Sequence, residues 1–216
     1  MEFTGKFETH ITVCLKDLDR VEALEQWGIN HGLKLLHIVL DRGVTVSQLM
    51  LTRHGQGSLT NELKTAFDSS QSLNAEGFTV TRIKIEVPQW NQSVPQSNAE
   101  ALNHPCDRYF EHHIKLLLEP SADILPLIDL VERHSAHLSR NLFQTRSDQY
   151  HERFVTQRCI SVGRVEAQQQ LQTLLKAIAT LRYLAIDIEA EFVVYDSNLD
   201  LDAGWIQGKE SPILHG

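Results

Sequence analysis

The strongest constraint on how this 216-residue chain folds is that it repeats itself. Residues 6–15 read KFETHITVCL and residues 109–118 read YFEHHIKLLL. Phe7, Glu8, His10, Ile11 and Leu15 return as Phe110, Glu111, His113, Ile114 and Leu118, all at one offset (113 − 10 = 103). A repeat of about half the chain implies a duplicated domain rather than a solenoid of short units.

Periodicity gives each copy the same programme. In the first, Phe7, Ile11, Val13 and Leu15 alternate with Glu8, His10 and Thr12, the period of a half-buried strand. A helix carrying Val21, Leu24 and Trp27 follows, ended by Gly28 or Gly32. Strands are predicted at 33–40 and 48–53, then a helix with Leu59, Leu63 and Phe67, and after Gly77 a strongly alternating strand at 78–87. The second copy predicts strands at 109–118, 138–144, 153–160 and 185–195, with helices at 124–134 and after Gly163. Between the copies, residues 88–105 change texture to Pro, Asn, Gln and Ser, as a connector does. Each copy reads β-α-β-β-α-β, the ferredoxin-like unit with two helices on one face of an antiparallel sheet. The expected fold class is α+β: two tandem ferredoxin-like (βαββαβ) lobes from an internal duplication. Lobe one spans 1–88, the connector 89–107, and lobe two with a C-terminal tail 108–216.

Composition narrows the partners. A formal net charge of −8 excludes a broad basic face for duplex nucleic acid but not a local basic pocket. No apolar stretch approaches bilayer length, so no membrane partner is expected. The opening MEFTGKFETH has no basic region before an apolar run, so no secretory leader is expected and the assignment is cytoplasmic. Cys14, Cys106 and Cys159 are too scattered for a disulfide framework; Cys14 and Cys159 fall in strands, which predicts buried reduced thiols.

Strand parity leaves one face of each sheet uncovered by helices. It carries Glu8, His10, Thr12, Arg82, Lys84 and Glu86 in lobe one, and Glu111, His113, Lys115, Asp187, Glu189 and Glu191 in lobe two. So many charges must pair, meet water or line a site. Two sheets packed back to back would set Arg82 and Lys84 against Asp187, Glu189 and Glu191. A carboxylate–histidine metal site from Glu111, His113, Glu189 and Glu191 is the other chemistry that these residue types suit, although nothing in their spacing selects an ion.

The tetrapeptide His10-Ile11-Thr12-Val13 resembles the H-x-[ST]-x motif of the two-histidine (2H) phosphoesterases. That resemblance implies two pseudo-symmetric lobes facing across a cleft, with His10 and His113 as general base and acid on a cyclic phosphodiester. It further implies Thr12, Lys115, Arg82 and Lys84 as substrate-binding residues, a small phosphorylated ligand or RNA end as partner, and chemistry needing no metal and no cofactor. The second copy departs from the motif, placing Lys115 where a hydroxyl belongs. The chain as a whole is also similar to a group of bacterial and plant proteins that close on YDSN…LDxGW. Here the pattern is Tyr195, Asp196, Ser197, Asn198, Leu201, Asp202, Gly204 and Trp205, and it implies no particular chemistry.

Other signals have simpler readings. Residues 196–202 imitate the start of a calcium loop but put Leu201 where glycine is required, so a polar turn or cap is expected. Gly55-Gln56-Gly57 and Gly163, before their helices, read as tight turns rather than anion cradles. His31, His37, His54, His134, His137 and His151 have no motif spacing and read as surface or satisfied core histidines. Two functions follow: a phosphodiesterase-like or phosphate-binding protein, or a non-catalytic binding or assembly protein whose polar sheet faces form a lobe–lobe or subunit interface, with a homo-oligomer allowed.

Overall fold

The computed structural model describes residues 2–15, 18–144 and 146–205; the tail segment 206–216 lies outside the described residues. The first unit runs β1 (Thr4–Cys14), α1 (Val21–Asn30), β2 (Lys34–Leu40), β3 (Ser47–Ser58), α2 (Leu59–Ala75) and β4 (Thr79–Pro88). The short helix α3 (Asn98–Ala101) follows. The second unit runs β5 (Tyr109–Leu118), α4 (Leu125–Arg133), β6 (Ala136–Asn141), β7 (His151–Ile160), α5 (Arg164–Thr180) and β8 (Leu184–Asp196). The fold is α+β, a duplicated ferredoxin-like unit with antiparallel pairing throughout.

The strand order is β1-β3-β2-β6-β7-β5-β8-β4, closing on β1. Each half has the order expected of its unit, β4-β1-β3-β2 and β8-β5-β7-β6, but the halves do not face each other across a cleft. Their edges pair. Residues Ile38–Leu40 of β2 run beside β6, and Lys84–Pro88 of β4 run beside β8. The physical reason is that an open edge leaves a row of unmatched N–H and C=O groups, and closure removes every edge at once. The two faces that the sequence leaves uncovered therefore become the interior of one barrel.

The apolar core lies outside the barrel wall, under the helices. Ile11, Val13, Leu35, Leu49 and Leu51 pack with Leu24 and Trp27 of α1 and Leu73 of α2. Ile114, Leu116, Leu138 and Val155 pack with Leu127, Leu130 and Val131 of α4 and Leu171, Leu174 and Ile178 of α5. A third cluster joins the halves, setting Phe7, Ile83 and Ile85 beside Phe110, Cys159 and Phe192. Apolar residues alternate outward while their charged neighbours turn inward, as period two requires. Cys14, at the last position of β1, is exposed; it and Cys106 lie in water, and only Cys159 is buried. Among the described residues no helix is long and apolar enough to cross a membrane.

The two glycine signals mark close approaches rather than the turns expected of them. A Cβ on Gly55 would lie 2.4 Å from the Glu62 carboxylate, which the Arg53 guanidinium and, at 2.6 Å, the Thr9 hydroxyl also reach. At Gly163 a Cβ would sit 2.4 Å from the Ser97 backbone, because the connector docks on the start of α5, where the Gly163 N–H donates to the Asn98 side-chain Oδ1 at 2.8 Å. Gly163→Ala must therefore push the connector off the second unit. We expect it to lower the unfolding free energy by about 1–3 kcal/mol in a urea titration, the usual cost of overpacking; an unchanged midpoint would mean that the connector yields freely.

Candidate functional site

The interior of the barrel is neither packed with apolar side chains nor empty of structure. It is threaded by alternating buried charges. Asp196 takes both arms of the Arg82 guanidinium, with Nε to Oδ1 at 2.9 Å. Arg82 Nη1 lies 2.8 Å from Asp202, which also accepts from Arg158 Nη2 at 2.8 Å. Arg158 Nη2 donates to Glu111 at 2.9 Å, the other oxygen of Glu111 takes Lys84, and Lys84 lies 2.9 Å from Glu86. His10 ends the chain, its Nε2 at 2.8 Å from Glu86 Oε2. Tyr109 caps the other end by donating to Asp196 at 2.7 Å. Burial opposes ionisation of Glu86, but Lys84 and then His10 outweigh it and hold the carboxyl at about 2. Burial likewise opposes the charge on Glu111, and Lys84 with Arg158 hold it well below the usual carboxylate range.

The two histidines singled out by the repeat are held alike. Thr52 on β3 hydrogen-bonds His10 Nδ1 at 2.8 Å, and Thr156 on β7 hydrogen-bonds His113 Nδ1 at 3.0 Å. Each histidine thus has a threonine on the adjacent strand and turns Nε2 inward. Their surroundings differ. His10 Nε2 is engaged by Glu86, and since an ionised carboxylate only accepts, Nε2 carries the proton. His113 Nε2 stands 3.7 Å from Glu111 and 3.9 Å from Glu191, beyond hydrogen-bond range of either.

A cavity of about 240 Å³ occupies the remaining interior. Its charged wall includes Glu8, His10, Lys84, Glu111, His113 and Glu191, and its opposite wall includes Leu36, Ile38, Leu40, Met50 and Phe154. Thr12 and Arg82 also line it, whereas Lys115 pairs with Glu152 at 3.1 Å. The cations expected to hold a substrate anion are thus each engaged by the protein's own carboxylates. The expected ion-pair layer exists with different partners: Arg82 and Lys84 meet Asp196, Asp202 and Glu111, while Asp187 and Glu189 are exposed. Glu191 is the group left over. Burial, followed by the neighbouring carboxylates Glu86 and Glu8, pushes its carboxyl up to about 10, so at neutral pH it keeps its proton.

Two features of the site escape sequence reasoning. One is Asp196, since strict alternation from Glu191 would turn it outward. The register skips between Glu86↔Val193 and Ile85↔Tyr195, and this bulge turns Asp196 in beside Lys84. The other is the closing segment. From the end of β8 it folds into a 3₁₀ turn (Leu199–Asp202) and bonds the β2–β3 turn, with Val44 N–H to Ala203 O at 2.8 Å. In the ring of eight, β8 and β2 are diametrically opposed, so the segment crosses one end of the barrel. Gly204, at φ +93°, passes over Gly43, where a Cβ would lie 3.2 Å from the Gly43 Cα. This brings in Asp202 and sets the Trp205 ring 3.9 Å from that of His137. His137, read from sequence as a bland histidine, is buried against the cavity, and burial pushes its ring down to about 3. The signals were present in the closing pattern and, for Arg158, in its position two residues after Thr156 on one strand face.

Glu111→Ala removes the carboxylate shared by Lys84 and Arg158. It should cost about 3–5 kcal/mol in denaturant unfolding, since it leaves buried cations underpaired. Glu191 acts in the opposite sense. Its folded pKa is raised, so between about 4.5 and about 10 the folded chain holds a proton that the unfolded chain releases, and its contribution erodes stability as pH rises. The advantage of Glu191→Gln over the wild type should therefore grow from pH 5 to pH 9, read as the difference in urea midpoints; a constant difference would place the Glu191 pKa in the ordinary range.

No protein-family model and no curated protein matches the chain. Among solved structures it is similar to the ligand-free regulatory subunit of aspartate kinase from Thermus thermophilus, at 11% identity over 82% of this chain and 95% of that one, with a TM-score of 0.34. It is also similar to a chlorite dismutase variant from Candidatus Nitrospira defluvii, at 14% identity over 88% of this chain and 91% of that one, with a TM-score of 0.28. Likenesses this distant carry no argument about binding or activity, and the functional reading rests on the interior itself.

Proposed function

We propose that this protein binds a small, partly apolar molecule in the chamber enclosed by its two halves, and that it works by binding rather than by hydrolysis. The observation that carries the reading is a barrel interior holding a cavity of about 240 Å³ with one apolar wall and one wall of fixed charges. Small eight-stranded barrels either fill their interior with side chains or hold one small ligand there. Sites of this two-sided kind suit a ligand with an apolar body and a polar end, the polar end setting its orientation. The chamber is completed within one chain, so the reading needs no second copy.

The phosphoesterase resemblance is weighed by the same residues. An acid and a base acting on a phosphodiester need free imidazole nitrogens and a place for two negative oxygens. Here His10 Nε2 is occupied by Glu86, Arg82 and Lys84 are matched by carboxylates, and the ionised Glu86 and Glu111 would repel a phosphate. Binding without turnover agrees better with this balance of charge.

The test fills the chamber. Ile38→Trp places an indole in the cavity from the apolar wall, and its overpacking costs about 1–3 kcal/mol, which circular dichroism will show to be tolerated. Saturation-transfer NMR against a set of small aromatic and aliphatic acids, amines and amides should give signals with the wild type that vanish with Ile38→Trp. If no compound distinguishes the two proteins, the chamber is not a binding site.

A further inference from the structure

We infer that the chamber holds a divalent transition-metal ion between Glu86, His113 and Glu191. One ligand atom from each lies within 4.8 Å of the other two. The three side chains come from β4, β5 and β8, consecutive staves of the barrel, so strand pairing and not a flexible loop sets their separation. A nitrogen and two carboxylate oxygens are the donor set of zinc, manganese and iron(II) sites.

Three details of the arrangement point to an ion rather than to an ion pair. With His113 Nδ1–H donating to the Thr156 hydroxyl, the ring is fixed and the Nε2 lone pair faces the carboxylates of Glu191 and Glu111, the arrangement that the outer partner of a metal-bound histidine gives. Glu86 is fully buried, yet its Oε1 accepts no hydrogen bond; Lys84 lies 2.9 Å away without hydrogen-bond geometry. Among the described residues, Glu191 accepts no hydrogen bond, and the nearest nitrogen recorded beside it is His113 Nε2 at 3.9 Å. Donor atoms around a tetrahedral ion are roughly 3.3–3.5 Å apart for bonds of about 2.0–2.2 Å, so the site closes on an ion with small side-chain movements.

The pseudo-symmetry explains why the open corner lies at His113 and not at His10. In lobe one the corresponding set is Glu8, His10 and Glu86, since Glu8 pairs Glu86 across β1 and β4 as Glu111 pairs Glu191 across β5 and β8. There Glu86 has closed on His10 at 2.8 Å. In lobe two the matching gap stays open at 3.9 Å. His10 is then a positioning residue that holds Glu86 by Oε2, and an ion would share the carboxylate with Lys84, which lies 2.9 Å from Oε1. This inference rests on the chamber reading and gives it a chemistry. The ion would supply the charge that the acidic wall lacks, and its open positions would take an oxygen or nitrogen donor at the polar end of the ligand.

The experiment uses the whole chain, stripped with a chelator and titrated with Zn²⁺ and Mn²⁺ alone in a calorimeter, with Co²⁺ absorption as an independent readout. One equivalent should bind tightly and Co²⁺ should develop a visible ligand-field band. Removing an outer partner of a metal site weakens it about 10–100-fold; Glu191→Gln and His113→Ala remove ligands and should each weaken binding by more than about 100-fold. Glu191→Gln preserves shape, so it keeps the test decisive if His113→Ala fails to fold. Glu152→Gln, which touches Lys115 and Arg146 instead, should bind as the wild type does. Equal binding by wild type and Glu191→Gln would assign the metal to surface histidines such as His54 and overturn the proposal, as would no binding at all. If either occurs while the compounds still distinguish wild type from Ile38→Trp, the metal is withdrawn and the chamber stands.

Discussion

The structure depends on one continuous line of opposite charges through its middle. From Asp196 through Arg82, Asp202, Arg158, Glu111, Lys84 and Glu86 to His10, every buried charge has a partner of the other sign on each available side. Each member would be expensive to bury alone. Together they let two sheet faces that no helix covers turn toward each other instead of toward water. Because the line crosses between the halves at Asp196–Arg82, Arg82–Asp202 and Glu111–Lys84, neither half satisfies all of its inward charges alone. Arg82 and Lys84 belong to the first, and Asp196, Asp202 and Glu111 to the second. The apolar core outside the wall gives the halves stability, and the ion chain gives them their register.

Much of this was legible in the sequence. The repeat, the period-two alternation and the turn residues gave both units and the connector, because those are local properties of the chain. Most of the inward residues were also legible, since parity on a strand needs only one correct assignment, but Lys115 and Asp187 fall outside the cavity lining. What those residues face was not. Pairing of β2 with β6 and of β4 with β8 joins residues about 100 or more positions apart, and no local periodicity encodes it. A single skipped residue near Val194 was enough to hide Asp196, the strongest partner of Arg82.

The closing pattern of the chain teaches a related lesson. Tyr195 to Trp205 reads as a signature without chemistry until the barrel end is seen. Then Asp196 and Asp202 are two of the four anions of the ion chain, and Trp205 lies across His137 and beside Arg158. Gly204 is needed where two backbones cross. The acidic excess left after these pairings collects on the far side of Glu86. With its burial, that excess is why Glu191 keeps its proton while Glu86 and Glu111 are held ionised.

The two seams that close the barrel are unequal, and this decides how matter can enter it. The seam between β4 and β8 is long and carries the charges, so parting it would expose ions that depend on one another. The seam between β2 and β6 runs only from Ile38 to Leu40 against Ser139 to Asn141, and its inward residues are neutral. Breathing there breaks a few backbone bonds and the partly exposed Arg42–Glu132 pair, but none of the buried ion chain. Of the two seams the short one parts with fewer buried charges exposed, so under the proposed chamber reading a guest would enter from the apolar side, its polar end meeting the charges last.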